Sequence, residues 1–160
     1  MTEFQSQRQM VVDDPSLIDR MSHEALRMTS PVMHMRRTAT EDTEIAGQRI
    51  AENEKVIMWY GAANRDPAIF PNPDVFDLTR KNVEKHVAFG HGVHRCLGNR
   101  IAQMQLRMAY ERILERFPNI HWTGKQKIEP IILVHAISSL RVNLYGKGAK
   151  RPVKVAMPNQ

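Results

Sequence analysis

Apolar positions recur at helical spacing in two stretches of the chain and alternate in short runs between them. Leu17, Ile18, Met21, Ala25, Leu26 and Met28 form the first stripe. Spacings of three and four predict a helix there, with Asp14 or Ser16 of Asp13-Asp14-Pro15-Ser16 as its cap. Pro31 ends it, because the residue before a proline avoids the α region. The second stretch has Ile101, Met104 and Met108 on one face and Ala102, Leu106, Ala109, Ile113 and Phe117 on an adjoining one. Apolar over most of its circumference, it predicts a buried helix that starts near Leu97 and stops at Pro118. Val32 to Arg37 reads as extended and Met-rich, and Glu44 to Ile50 as a hairpin around Gly47. Val56 to Tyr60 reads as a buried strand with Trp59 and Tyr60 in the core, and Ile128 to Leu144 as two strands turning near Ser138-Ser139. From Asn64 to Phe89 the periodicity lapses and Pro67, Pro71 and Pro73 punctuate the chain. So long a loop belongs in a compact domain only if it is functional. Residues 1–10, which are polar, and 147–160, which are basic and contain Gly and Pro, are expected to be loosely ordered.

Composition narrows the class. At 160 residues the chain suits a single domain, which at that size buries about 70% of its unfolded surface. The formal net charge of +6 comes from cations scattered along the chain, and no nucleic-acid-binding motif accompanies them, so nucleic acid is not an expected partner. An apolar run of membrane-spanning length is missing and Met1 to Met10 has no signal-like apolar stretch, so the expectation is a cytoplasmic protein with no membrane span.

The chemistry concentrates between Phe89 and Gly98, read FGHGVHRCLG, which holds the chain's one cysteine. A lone Cys leaves three readings: a small buried hydrophobe, a nucleophile or a metal ligand. Glycines at 90, 92 and 98 suit a backbone that turns tightly and comes close to a bulky group. A helix starting just after Cys96 would point its unpaired N–H groups and positive dipole end toward the sulfur, and both favour a thiolate. Glu24 and Arg27, at i and i+3, read on their own as a surface ion pair.

Phe89, Gly92, His94, Cys96 and Gly98 spell Phe-x-x-Gly-x-His-x-Cys-x-Gly, which resembles the haem-binding loop of the cytochrome P-450 superfamily, bacterial soluble type. The resemblance implies the C-terminal part of that fold, mainly α with small β-sheets (α+β over this stretch), and haem b, iron protoporphyrin IX, as cofactor. It implies that Cys96 is the axial thiolate ligand to the iron, pushing electron density onto it and favouring O–O cleavage. His94 would then hydrogen-bond a haem propionate, and Phe89 would pack beside the Cys sulfur, with Gly92 and Gly98 shaping the loop. Glu24-x-x-Arg27 is similar to the family's buried ion-pair motif, and Arg80, in Phe76-Asp77-x-x-Arg80, would complete the network; charges buried this way need such additional partners. Arg37, of Arg37-Thr38-Ala39, matches the arginine that reaches a haem propionate, with Arg36 as runner-up. Met33, His34 and Met35, together with Ala136, Ile137 and Ser138, fall where the family contacts substrate.

The resemblance covers residues 10–145 and only the C-terminal part of the family's pattern. The long helix over the distal haem face has no counterpart, since Glu41-Asp42-Thr43 lies in a polar, turn-like segment. The expectation is therefore a single partial domain over 1–160. Its implied activity is insertion of one atom of O2 into a C–H bond of a small hydrophobic substrate, incomplete in this chain alone. The alternatives are a non-catalytic haem-binding or inert remnant, and a zinc module built from His86, His91, His94 and Cys96. Zinc needs four convergent ligands, and His-x-Cys spacing is too tight for two on a regular element. The implied electron donor is a ferredoxin-type protein, served by an NAD(P)H-dependent reductase and docking on Arg95, Arg100, Arg107 and Arg112. Similarity in Met58-Trp59-Tyr60 and Asn64-Arg65-Asp66 to bacterial members that hydroxylate alkyl chains or terpenoid alcohols is the one pointer to substrate.

Overall fold

The computed structural model describes residues 4–146. Helix α1 (Gln5–Asp13) leads through a single 3-10 turn, Pro15–Leu17, into α2 (Ile18–Thr29). Asp14 makes the join: its carboxylate accepts the Ser16 N–H at 3.0 Å while Pro15, which has no N–H to satisfy, takes the first turn position. Ser30 closes α2 in the left-handed region at φ 39°, donating its hydroxyl to the Arg27 carbonyl. Pro31 then sends the chain into β1 (His34–Thr38), which pairs antiparallel with β4 (Lys55–Trp59), His34 opposite Trp59 and Thr38 opposite Lys55. Between them β2 (Thr43–Ile45) and β3 (Gln48–Ile50) form a hairpin. Its turn residues Ala46 and Gly47 both have positive φ, as a two-residue hairpin of this twist requires. After the short α3 (Tyr60–Ala63) the chain runs irregularly to α4 (Asn99–Arg116), and β5 (His121–Glu129) with β6 (Ala136–Asn143) closes the described part. Two-stranded sheets and helices thus alternate, in agreement with the α+β expectation.

The core lies where α1, α2 and the irregular segment meet, around Val11, Ile18, Met21, Phe76 and Leu78, with Tyr110 and Leu114 of α4 against its edge. The proline-punctuated loop is anything but loose. It supplies Phe70, Phe76, Leu78, Val83 and Ala88 to the interior, and truncating a buried Phe of this kind costs about 3–5 kcal/mol. Residues 5–10, expected to be loosely ordered, are helical instead. Val11 is buried, and Gln7 accepts the Leu78 N–H at 2.9 Å.

Three other expectations are corrected. The helix after the cysteine starts at Asn99, two residues later than read, and none of its residues is buried: Ile101 is 59% exposed, Met104 and Met108 54% each. Ile18 and Met21 of the first stripe, by contrast, are fully buried. The strand read as buried at Val56 to Tyr60 is half exposed, with Trp59 57% accessible, because among the described residues β1 is the one strand that pairs with β4. Ser138 and Ser139 lie inside β6 rather than at a turn; Pro130, which cannot serve the ladder, stands where β5 ends and the connection begins. Residues 147–160, expected to be loosely held, lie outside the described part, as do 1–3.

Candidate functional site

Below the site lies a knot of buried charge. Glu24 and Arg27, one helical turn apart on α2, are both fully buried, and Arg27 grips the carboxylate with two nitrogens at 2.7 and 2.9 Å. Arg80 reaches the same carboxylate at 3.1 Å and the Asp77 N–H donates to it at 3.0 Å. One anion would not offset two buried cations, so the remaining guanidinium donors go to main-chain carbonyls: Arg27 to Asn64, and Arg80 to Pro71, Asn72 and Val75, at 2.7–3.1 Å. This satisfies the demand that buried charges be paired and fully hydrogen-bonded. The network ties α2 to the loop that leads to Cys96, and it brings together Glu24, Arg27 and Arg80, which are 53 or more residues apart between α2 and the loop.

The glycine loop itself is held by its backbone. Gly90 and Gly92 have φ of 73° and 68°, conformations that a side chain would strain. The Gly90 N–H donates to Val87 and the Arg95 N–H to Gly92, winding Gly92–His94 into a 3-10 turn. The Cys96 N–H then donates to the Phe89 carbonyl at 2.8 Å, which closes the loop and leaves the thiol exposed. Gly98 caps α4 at an ordinary φ of −82°, and a methyl group added there would stand 4.0 Å from the sulfur.

The sulfur opens on a cleft of about 530 Å³, within the size range of small-molecule and cofactor sites. Leu26, Pro31, Val32, Met35, Tyr60, Ala88 and Phe89 make its walls apolar, and Arg37 and His94 bring nitrogen donors into it. Strand alternation decides which arginine takes part: Met35 and Arg37 share one face of β1, while Arg36 lies on the other. The same alternation puts His34, expected to contact substrate, on the face opposite Met35, where its ring meets that of Trp59 at a centroid distance of 4.8 Å. Met33, Ala136 and Ile137 are not among the residues that line the cleft, although the neighbouring His135 donates its N–H to the carbonyl of Pro31, which does, at 2.8 Å. Tyr60, read as core, is in fact a wall residue. It and Leu26 escaped the sequence because one begins a four-residue helix and the other lies in a stripe that otherwise faces the interior.

The zinc reading fails on geometry. Among the described residues no three His, Cys, Asp or Glu side chains converge on a metal position, and His86 has His23 as its side-chain partner. Of the four arginines expected to receive a partner, Arg107 is engaged by Asp19 and Glu111, and Arg112 by Glu115. Arg95 and Arg100 are exposed and have no ion pair among the described residues. No helix among those residues is long and apolar enough to cross a membrane.

Comparison with known proteins gives a consistent result. The family model for cytochrome P450 matches residues 6–138. Linalool 8-monooxygenase of Pseudomonas putida is 43% identical over 133 residues, which is 83% of this chain and 32% of that protein. Steroid C26-monooxygenase of Mycobacterium tuberculosis (strain CDC 1551 / Oshkosh) is 39% identical over 127 residues, 79% of this chain and 34% of its own. Among solved structures, cytochrome P450-153 from Novosphingobium aromaticivorans superposes with a TM-score of 0.82 at 42% identity, over 88% of this chain and 36% of the other. The chain spans about a third of the length of these relatives.

Proposed function

Because the chain belongs to the cytochrome P450 family, we propose that it is the haem-holding part of a haem-thiolate monooxygenase acting on a hydrophobic small molecule. The observation that carries this reading is the cleft that gathers Cys96, His94 and Arg37. Its residues fit a haem. The apolar walls suit a flat hydrocarbon macrocycle, the exposed sulfur suits iron, and Arg37 and His94 suit two propionates. When bound, the haem supplies the activation of dioxygen and the oxidising chemistry.

The chain's own share is to bind and orient. Cys96 would hold the iron, its position fixed by the hydrogen bond from its N–H to Phe89. Arg37 and His94 would hold the propionates, and Leu26, Val32, Met35 and Ala88 would keep water from the group. The network of Glu24, Arg27 and Arg80 acts at a distance, keeping the loop against α2. In this reading the residues that roof the distal face and relay protons are not among those described, and the chain by itself is catalytically incomplete. Electrons arrive from a ferredoxin-type protein docked near Arg95 and Arg100, with a nicotinamide-dependent reductase behind it. The names of the relatives span a terpenoid alcohol and a steroid, which supports a largely apolar substrate.

Titration of the purified chain with haem tests the assignment. One equivalent should saturate it, Cys96→Ser should change the spectrum of the bound haem, and Arg37→Leu should weaken binding about tenfold, the worth of one charge-assisted hydrogen bond. Binding and spectrum indifferent to both substitutions would reject the site.

A further inference from the structure

His23 on α2 and His86 in the segment before the glycine loop meet in the interior, with His23 Nδ1 and His86 Nε2 3.1 Å apart. The other nitrogen of His86, Nδ1, faces the Ala88 N–H at 3.2 Å. A backbone N–H can only donate, so His86 Nδ1 accepts and its proton must sit on Nε2. That Nε2–H donates to His23 Nδ1, which leaves the His23 proton on Nε2. One tautomer of each ring satisfies the arrangement. A proton added to His86 would face the Ala88 N–H, and one added to His23 would face the His86 N–H, so either charge breaks a hydrogen bond.

We propose that the hydrogen bond between His23 and His86 is a strap that positions the Cys96 loop against α2, and that it holds only while both rings are neutral. The path is short and continuous. His86 is buried and fixes Ala88; the neighbouring Val87 N–H donates to Asn64 Oδ1 at 2.7 Å; and the Phe89 carbonyl holds the Cys96 N–H. His86 also packs its ring against Phe89, with centroids 6.0 Å apart. His23 stands on the turn of α2 that carries Glu24, so the strap adds a second, uncharged tie beside the ion-pair network. It rests on the haem-thiolate reading of Cys96 only for its purpose; the tie itself is a property of the chain.

The surroundings keep the pair neutral. Burial, with His23, Arg95 and Arg27 in support, pushes His86 down from 6.5 to about 4, against the opposing pull of Glu24. Burial lowers His23 as well, against the carboxylates of Asp19 and Glu84 and with the help of Arg95. Folded values below the ordinary one mean that the unfolded chain binds protons first on acidification. The strap's contribution is therefore complete above pH 6.5 and is lost as pH falls toward about 4.

Amide hydrogen exchange at Ala88 and Cys96 tests this in the whole chain, both haem-free and haem-loaded, with two variants. His23→Asn places an amide oxygen where Nδ1 stands and takes up no proton, whereas His23→Leu offers no acceptor. At about pH 7.5 His23→Leu should exchange about tenfold faster than the wild type at both amides, the loss of one buried hydrogen bond, while His23→Asn should match the wild type. At about pH 5 the wild type should lose protection relative to His23→Asn. Equal protection in His23→Leu and the wild type at both pH values would overturn the strap, and if haem still bound, the reading of Cys96 would stand without it. The expected pattern in a chain that fails to bind haem would uphold the strap and discard that reading instead.

Discussion

Replacing Glu24 by Ala would leave two guanidinium groups in the interior without their shared anion. Stripping one partner from a buried pair typically costs about 3–5 kcal/mol. Glu24→Ala should lower the unfolding free energy read from a urea titration by that amount, and more than any alanine substitution of an exposed pair such as Arg49 with Asp42. The glycines separate two roles that look alike in a motif. Gly92 has φ 68° and open space around it, so Gly92→Ala should destabilise the haem-free chain by about 1–2 kcal/mol through backbone strain alone. Gly98 has an unstrained φ and faces the sulfur, so Gly98→Ala should leave the haem-free midpoint unchanged and weaken haem binding. Thermal melts with and without haem distinguish the two. At this scale the sequence was most legible where chemistry and spacing coincide: Cys96, His94 and the glycines stand within ten residues. The link from Glu24 to Arg80 came only through family resemblance, because nothing local to either residue announces the other. The pairing of His23 with His86 stayed invisible for the same reason, since the two stand 63 residues apart.

Among the elements, α2 was legible because its stripe faces a core, and α4 was only half so. Its length and end follow from periodicity and Pro118, but apolar residues on most of its faces read as burial, and the described residues bury none of them. The C-terminal strands were misphased for a physical reason. Two serines resemble a turn, whereas Ile131-Ile132-Leu133 resemble a strand, yet Pro130 begins the connection, Ser139 pairs with Lys127 of β5, and Ser138 falls at the register shift beside it. In the proposed reading the start of α4 also bears on electron delivery. Arg100 is exposed and has no described carboxylate partner, while Arg112 is already paired with Glu115. Arg100→Glu should therefore slow reduction by an acidic iron–sulfur donor several-fold at low salt, with the difference vanishing as salt rises beyond about 0.5 M, and Arg112→Glu should do much less. Stopped-flow reduction across a salt series reads this out, and equal effects of the two would reject a docking face centred on Arg100.

For the molecule as a whole, buried charge, irregular loop and cleft form one device: α2 and the loop hold each other, and the loop holds the cysteine. Ile101, Met104, Met108, Val93 and Leu97 are exposed around it, an apolar surface of the kind that marks a binding face. The central claim is that Cys96 ligates haem iron as a thiolate, and it is tested most directly by the absorbance of the reduced, carbon-monoxide-bound haem complex. The wild type should show a band at about 450 nm, and Cys96→Ser should move it to about 420 nm, since no other residue of the chain offers an anionic sulfur. A band at about 450 nm that survives Cys96→Ser, or one at about 420 nm in the freshly loaded wild type, would contradict the account.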